Sequence, residues 1–202
     1  MQQRLTVDAP VTHIYFVRHA LPDYSWLDDR HMPLTTEGEA DALKVMHVLK
    51  DVNFDFCISS PYKRTRQTIA PVVRESNLIV HVDERLKERV RGILGNSGTE
   101  LQIRRWNNFD FHEKDGESMT SLQQRNMAAL LEVLNYHSGE NILFSTHGAA
   151  LSAILNFYDP SFTYKDFKRI EKFTPYILRL TFDNANQIVA KKELLIIDKS
   201  RN

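Results

Sequence analysis

Three short stretches put arginine or histidine directly after an apolar run. In "HIYFVRHALP" (13–22), four apolar residues end in Arg18 and His19. In "FDFCISSPYKR" (54–64), the run ends in Ser59-Ser60-Pro61, and Arg64 follows about one helical turn later. In "NILFSTHGAAL" (141–151), it ends in Thr146, His147 and Gly148. A guanidinium fork matches phosphate oxygens in a way that lysine does not. An imidazole with one unprotonated nitrogen can attack phosphorus. No carboxylate cluster with metal-ligand spacing accompanies the histidines, so arginines rather than a metal ion would neutralise a transferring phosphoryl group. Each residue alone has a plainer explanation. Arg18-His19 can end a strand at the surface, Arg64 lies in the basic helix face of "YKRTRQ", and His147 can cap a helix. Their recurrence after three strands is what argues for a site. His13, His31, His47, His81, His112 and His137 show no paired spacing and read as structural or surface residues.

The elements that must carry these residues follow from periodicity. "THIYFV" and "FDFCIS" read as strands, "NLIVHV" as a third and "NILFS" as a fourth. Between them, "TTEGEADALKVMHVLKD" sets Ala42, Val45, Met46 and Leu49 at helical spacing, with Thr36 as cap and Glu39 completing a capping box. "SPYKRTRQTIAPVVRES" reads as a helix with Pro61 in its first turn and Pro71 as an end or kink. Residues 83–118 are loop-rich, a long helix runs from about Ser118 to Tyr136, and another opens at "HGAALSAILNFY". "YILRLTFD" and "QIVAKKELLII" pair across a "DNAN" turn. Strand–helix alternation of this kind makes an α/β three-layer sandwich, a mostly parallel central sheet with helices on both faces. Ligands of such sheets bind beyond the carboxyl ends of the strands, where helix amino termini add free N–H groups.

Composition narrows the function. At 202 residues the chain fits a single domain, residues 1–202, and 26 basic residues balance 26 acidic ones. A neutral chain gives no support for nucleic-acid or membrane partners. No run approaches the roughly 18 apolar residues of a membrane helix. The single cysteine, Cys57, reads as a small buried hydrophobe in a reducing, cytoplasmic setting.

Taken together, these stretches resemble the histidine phosphatase superfamily, the phosphoglycerate mutase-like proteins of its branch 1. "FVRHA" is similar to the family's strand followed by Arg-His-Gly, and "SSPYKRTRQTIAP" to its "SSP..R..QTA". "PLTTEGEADA", "RLKERVRGILG", "DGESMTSLQQR" and "ILFSTHGAAL" resemble its remaining motifs, in family order, over about residues 12–155. The resemblance implies the phosphoglycerate mutase-like fold and no cofactor. It implies His19 as a nucleophile that becomes phosphohistidine, and Arg18, Arg64 and His147 as holders of the phosphoryl oxygens. Gly148 and the residue after His19 would border the phosphate, and Glu88 would protonate the leaving oxygen. Three positions depart from the pattern. Ala20 replaces glycine, where a positive φ would cost energy. Asp41 stands where glutamine is common, and Leu94 replaces the acid of an "EG" pair. No asparagine occurs between His19 and Asn53, where many members place one against the phosphate.

The segment from about 92 to 116 is expected as a lid over the site. Within it, Arg104 and Arg105 either read a second anionic group of the substrate or form solvated surface. The resemblance points to a phosphomonoester hydrolase acting on a small phosphorylated metabolite. A phosphoglycerate-type mutase and a weakly active phosphate-binding module are the alternatives.

Overall fold

The computed structural model describes residues 10–93 and 98–200. A six-stranded sheet is ordered β3-β2-β4-β1-β5-β6. The first four strands in that order run parallel: β3 (Val80–Val82), β2 (Phe56–Ser59), β4 (Asn141–Thr146) and β1 (Thr12–Arg18). The carboxyl-terminal hairpin, β5 (Phe173–Phe182) and β6 (Ile188–Asp198), lies antiparallel along the β1 edge. The sheet is thus mixed, with its four parallel strands where the sequence pattern puts them.

Side chains alternate across the sheet, and the two cores follow that alternation. Ile14 and Phe16 pack with Ile58, Ile142 and Phe144 under α4 (Met119–Tyr136), α5 (Gly148–Tyr158) and α6 (Tyr164–Glu171). Tyr15 and Val17 pack with Cys57, Leu143 and Ile177 under α1 (Thr36–Leu49) and α2 (Lys63–Glu75). Strands β1, β4 and β2 are neighbours in register, Arg18 beside Thr146 and Ser59 beside Ser145, so their carboxyl ends meet in one place.

Several boundaries differ from the sequence reading, each for a local reason. Thr35, not Thr36, caps α1. Its hydroxyl accepts from the Gly38 N–H, so the third helical position is a glycine and Glu39 forms no capping box. Helix α2 begins at Lys63, after Pro61, and runs through Pro71 to Glu75. The proline removes one backbone bond, but Ile69 and Val72 on either side are buried in the core and hold the helix. Asn77 takes φ 50° and closes α2, with the Leu78 N–H returning to the Val73 carbonyl, so β3 starts only at Val80.

Two helices lie where none was expected. One is α3 (Thr99–Asn107), inside the loop-rich stretch. The other is α6, whose start has a sequence signal, since the Asp166 carboxylate accepts from the Thr163 N–H at 2.8 Å. Asp41 is buried and paired with Lys44 (2.8 Å) and Lys199 (2.7 Å), tying α1 to the chain's far end. That accounts for an acid at this position. Leu94 lies outside the described residues.

The segment containing α3 leaves and rejoins the domain at one point. A Cβ on Gly92 would come within 2.5 Å of the Lys114 carbonyl, and one on Gly116 within 3.1 Å of the Gly92 nitrogen. The Ile93 N–H donates to the Lys114 carbonyl and the Glu117 N–H to the Val90 carbonyl. Just inside this crossing, the Glu113 carboxylate is buried between Arg89 (3.2 Å) and Arg105. Removing one member of such a cluster leaves buried charge without compensation. Glu113→Ala is therefore expected to lower the free energy of unfolding by about 3–5 kcal/mol in urea titration.

Candidate active site

The meeting point of β1, β2 and β4 is where four of the singled-out side chains converge. The imidazole of His19 is buried one residue beyond β1. Its Nδ1 lies 2.8 Å from the Ala20 carbonyl, which can only accept, so Nδ1 carries the proton and Nε2 keeps its lone pair. Burial first, then the guanidiniums of Arg64 and Arg18, holds His19 well below the ordinary histidine range. The ring is a neutral base with one defined tautomer.

His147, fully buried, meets His19 edge-on with ring centroids 5.3 Å apart. Burial and the charge of Arg64 push it well down as well. Its Nε2 is 2.7 Å from the Ser60 hydroxyl, and that hydroxyl also accepts from the Tyr62 N–H. Both groups are satisfied if Ser60 donates to Nε2, which leaves the proton of His147 on Nδ1. His147 Nδ1 and Arg18 Nε are both buried with no hydrogen-bond partner among the described residues. Two donors without acceptors flank His19.

Each arginine is held from the side away from the imidazoles. Arg18 donates to the carbonyls of Ile170 and Phe173, the latter at 2.8 Å. Ile170 ends α6 and Phe173 opens β5, so the unanticipated helix is what fixes Arg18. Against its other side lies Gly148. A Cβ there would sit 3.1 Å from the guanidinium carbon, so only glycine lets the plane pack. Arg64, 2% exposed, donates to the Asp29 carbonyl (2.6 Å), pairs with the Asp29 carboxylate (3.1 Å) and lies over the Tyr62 ring at 4.8 Å. Asp29 comes from the loop in which the sequence reading noted a missing asparagine. That loop lines the cavity with Pro22, Tyr24 and Met32 instead.

Glu88 arrives from the other side. Its carboxylate accepts from the N–H groups of Arg89 (2.9 Å), Ala149 and Ala150 (3.2 Å each), so it caps α5. This corrects the expectation of free N–H groups there: α5 spends two of its first donors on Glu88. At the start of α2, the Lys63 N–H is taken by the Arg30 carbonyl. Arg125 clamps the segment that carries Glu88. It donates to the carbonyls of Arg85 and Lys87 (2.6 Å each) and Glu88 (3.1 Å), and pairs with Glu117 at 2.6 Å.

Two expectations for the phosphate neighbours change. Ala20 does not line the cavity. Its N–H goes to Thr68, its side chain packs with Leu34 and Ala42, and its φ is not positive, so alanine fits without strain. Its contribution is the carbonyl that orients His19. Arg104 is exposed over the Phe111 ring (4.0 Å) and is absent from the cavity, whereas Arg105 lines it while paired with Glu113. Sequence reasoning missed Asp29, Gln102, Phe167 and Glu171. None stands beside a strand end, which was the signal used. Burial raises the Cys57 thiol to about 12, in keeping with a structural role. Among the described residues, no three His, Cys, Asp or Glu side chains are grouped to hold a metal ion.

These groups open on a cavity of about 220 Å³, with Arg18, His19, Arg64, Glu88 and Gly148 in its wall. The fold and the cavity together define an α/β protein with an arginine-lined, histidine-centred cavity at the carboxyl edge of its sheet. The chain belongs to the histidine phosphatase superfamily (branch 1), which its sequence matches over residues 14–192. It is 28% identical over 158 residues to a Shigella dysenteriae protein named probable phosphoglycerate mutase GpmB, covering 71% of this chain and 73% of that one. The fold is that of a mycobacterial glucosyl-3-phosphoglycerate phosphatase (TM-score 0.70, 16% identity, 94% of this chain and 100% of that one). It is also that of a phosphoglycerate mutase from Bacillus anthracis (TM-score 0.72, 16% identity, 96% of each chain). Among the described residues, no helix is long and apolar enough to cross a membrane.

Both buried imidazoles have folded-state pKa values below the unfolded value of about 6.5. Below that pH the unfolded chain binds protons that the folded chain does not, so stability falls as pH falls. The expected slope approaches about 1.4 kcal/mol per pH unit for each histidine. Urea titrations between pH 7 and 5 check this. His19→Gln should remove one histidine's share of the slope.

Proposed function

We propose that the protein is a phosphomonoester hydrolase that works through a phosphohistidine at His19 and needs no metal. The observation that carries this is the pinned tautomer of His19: Nδ1–H is tied to the Ala20 carbonyl, which leaves the lone pair on Nε2, and the buried guanidiniums of Arg64 and Arg18 act on the same ring. The unpartnered donors Arg18 Nε and His147 Nδ1 support the same reading, because phosphoryl oxygens would satisfy both.

In the first step, His19 Nε2 forms a bond to phosphorus as the phosphorus–oxygen bond to the alcohol breaks. Glu88 gives its proton to the departing oxygen, and Arg18, Arg64 and His147 hold the three remaining oxygens. In the second step, Glu88 takes a proton from water, the hydroxide attacks phosphorus and the nitrogen–phosphorus bond breaks. Inorganic phosphate leaves, and Glu88 and His19 return to their starting states. Arg125 acts as a positioning residue, holding the backbone that presents Glu88. The segment from Gly92 to Gly116 serves as the lid, bringing Gln102, Arg105 and Trp106 to the cavity.

Hydrolysis is preferred to mutase chemistry because a bisphosphorylated intermediate needs a second cationic site. Arg89 and Arg105 are joined to Glu113, and Arg91 stands 3.6 Å from Asp29. The test is hydrolysis of para-nitrophenyl phosphate in EDTA from pH 4 to 9. The wild type should turn over, His19→Ala should lose at least about 10³-fold in kcat, and Glu88→Gln about 10²-fold or more. Protein quenched in alkaline detergent should carry an alkali-stable, acid-labile phosphate that His19→Ala lacks. Transfer between positions of phosphoglycerate in preference to phosphate release would instead identify a mutase.

A further inference from the structure

Beyond the reacting groups, the cavity has a second lining that the chemistry above does not use. It consists of Gln102 and Trp106 of α3, Phe167 and Glu171 of α6, and Met119. Trp106 stacks on Phe167 with ring centroids 5.4 Å apart and planes 29° from parallel, making an aromatic wall. Next to it, Gln102 Nε2 donates to Glu171 at 3.1 Å, Gln102 Oε1 accepts from the Tyr164 hydroxyl, and Lys168 pairs with the other Glu171 oxygen.

The polar pair has capacity to spare. A carboxylate accepts about four hydrogen bonds and an amide nitrogen donates two. Two protein donors bind Glu171 here, and one Gln102 N–H is used. Acceptor positions on Glu171 and a donor on Gln102 therefore remain beside an apolar face. Such a surface suits a group with one apolar face and several hydroxyls on its rim. It does not suit a second anion. A carboxylate or phosphate there would meet the Glu171 charge, and Arg89 and Arg105, which also line the cavity, already share Glu113.

We propose that the leaving group is a polyhydroxylated ring, so that the substrate is a sugar monophosphate whose ring lies on Trp106 and whose hydroxyls bond Glu171 and Gln102. This rests on the reading of His19, Arg18 and Arg64 as the phosphoryl end. A site built to bond hydroxyls rejects ligands that lack them, because its own polar groups are then left unpaired.

The experiment compares kcat/KM in EDTA for pentose and hexose monophosphates, 3-phosphoglycerate and para-nitrophenyl phosphate. At least one sugar monophosphate should exceed 3-phosphoglycerate by about tenfold or more. Glu171→Gln should reduce the ratio of sugar monophosphate to para-nitrophenyl phosphate turnover by about tenfold, and Glu171→Lys should shift preference towards 3-phosphoglycerate. The proposal is overturned if wild type prefers 3-phosphoglycerate to every sugar monophosphate, or if the Glu171 variants change all esters by one factor. Absence of turnover with every ester would remove the hydrolase reading and leave this one to binding. Calorimetry on His19→Ala should then show tighter binding of a sugar monophosphate than of 3-phosphoglycerate, weakened by Glu171→Gln. Equal binding of the two ligands would overturn it.

Discussion

Two guanidiniums must stay charged in a buried site while the imidazole they act on stays neutral, and much of this structure follows from that constraint. A carboxylate in contact with His19 would favour its protonated form and remove its free lone pair. The chain instead supports its arginines from behind. Arg18 leans on two backbone carbonyls, Ile170 and Phe173, and Arg64 on the carbonyl and carboxylate of Asp29. None of these oxygens is a hydrogen-bond partner of the His19 imidazole, whose Nδ1–H goes to its neighbour's carbonyl. Gly148 belongs to the same solution, since the Arg18 plane occupies the space that a side chain would take.

One carboxylate of the cavity wall, Glu88, is clamped in place. Glu88 rests on the first turn of α5, and Arg125 grips the three carbonyls around it. The neighbouring segment is fixed by the Gly92–Gly116 crossing and by Glu113 between Arg89 and Arg105. Buried ion clusters of this kind contribute little net stability compared with a well-packed apolar substitute, but they are costly to break. Their effect here is to set the position of α3, and through it the wall formed by Gln102 and Trp106.

The molecule thus separates two regions. The carboxyl ends of the parallel strands and the turns after them carry Arg18, His19, Arg64 and His147, and α3 with α6 shapes what lies beside them. The relatives are named mutase and phosphatase alike, and the solved ones share this fold. Fold therefore does not choose between those reactions, and the side chains around the cavity must.

By itself the sequence determined the four parallel strands, helices α1, α2 and α4 between them and the side chains at their carboxyl ends. Those are local properties: an apolar run of period two, a helical stripe, and the residue that comes next. Arg18, His19, Arg64 and His147 were legible because strand ends carry sites in such sheets. Boundaries that hinge on a single cap or turn, at Thr35 and Asn77, were less so. Tertiary structure alone decided what each charged group leans on. Asp29 is 35 residues from Arg64, Ile170 is 152 from Arg18, and Glu88 is 61 from the Ala149 N–H it caps. No local pattern records such pairings, because they depend on how separate loops meet above the sheet. The roles of Ala20, Arg104 and Arg105 were settled the same way. Whether a guanidinium faces solvent, a carboxylate or a cavity depends on packing around it, and spacing along the chain does not encode that.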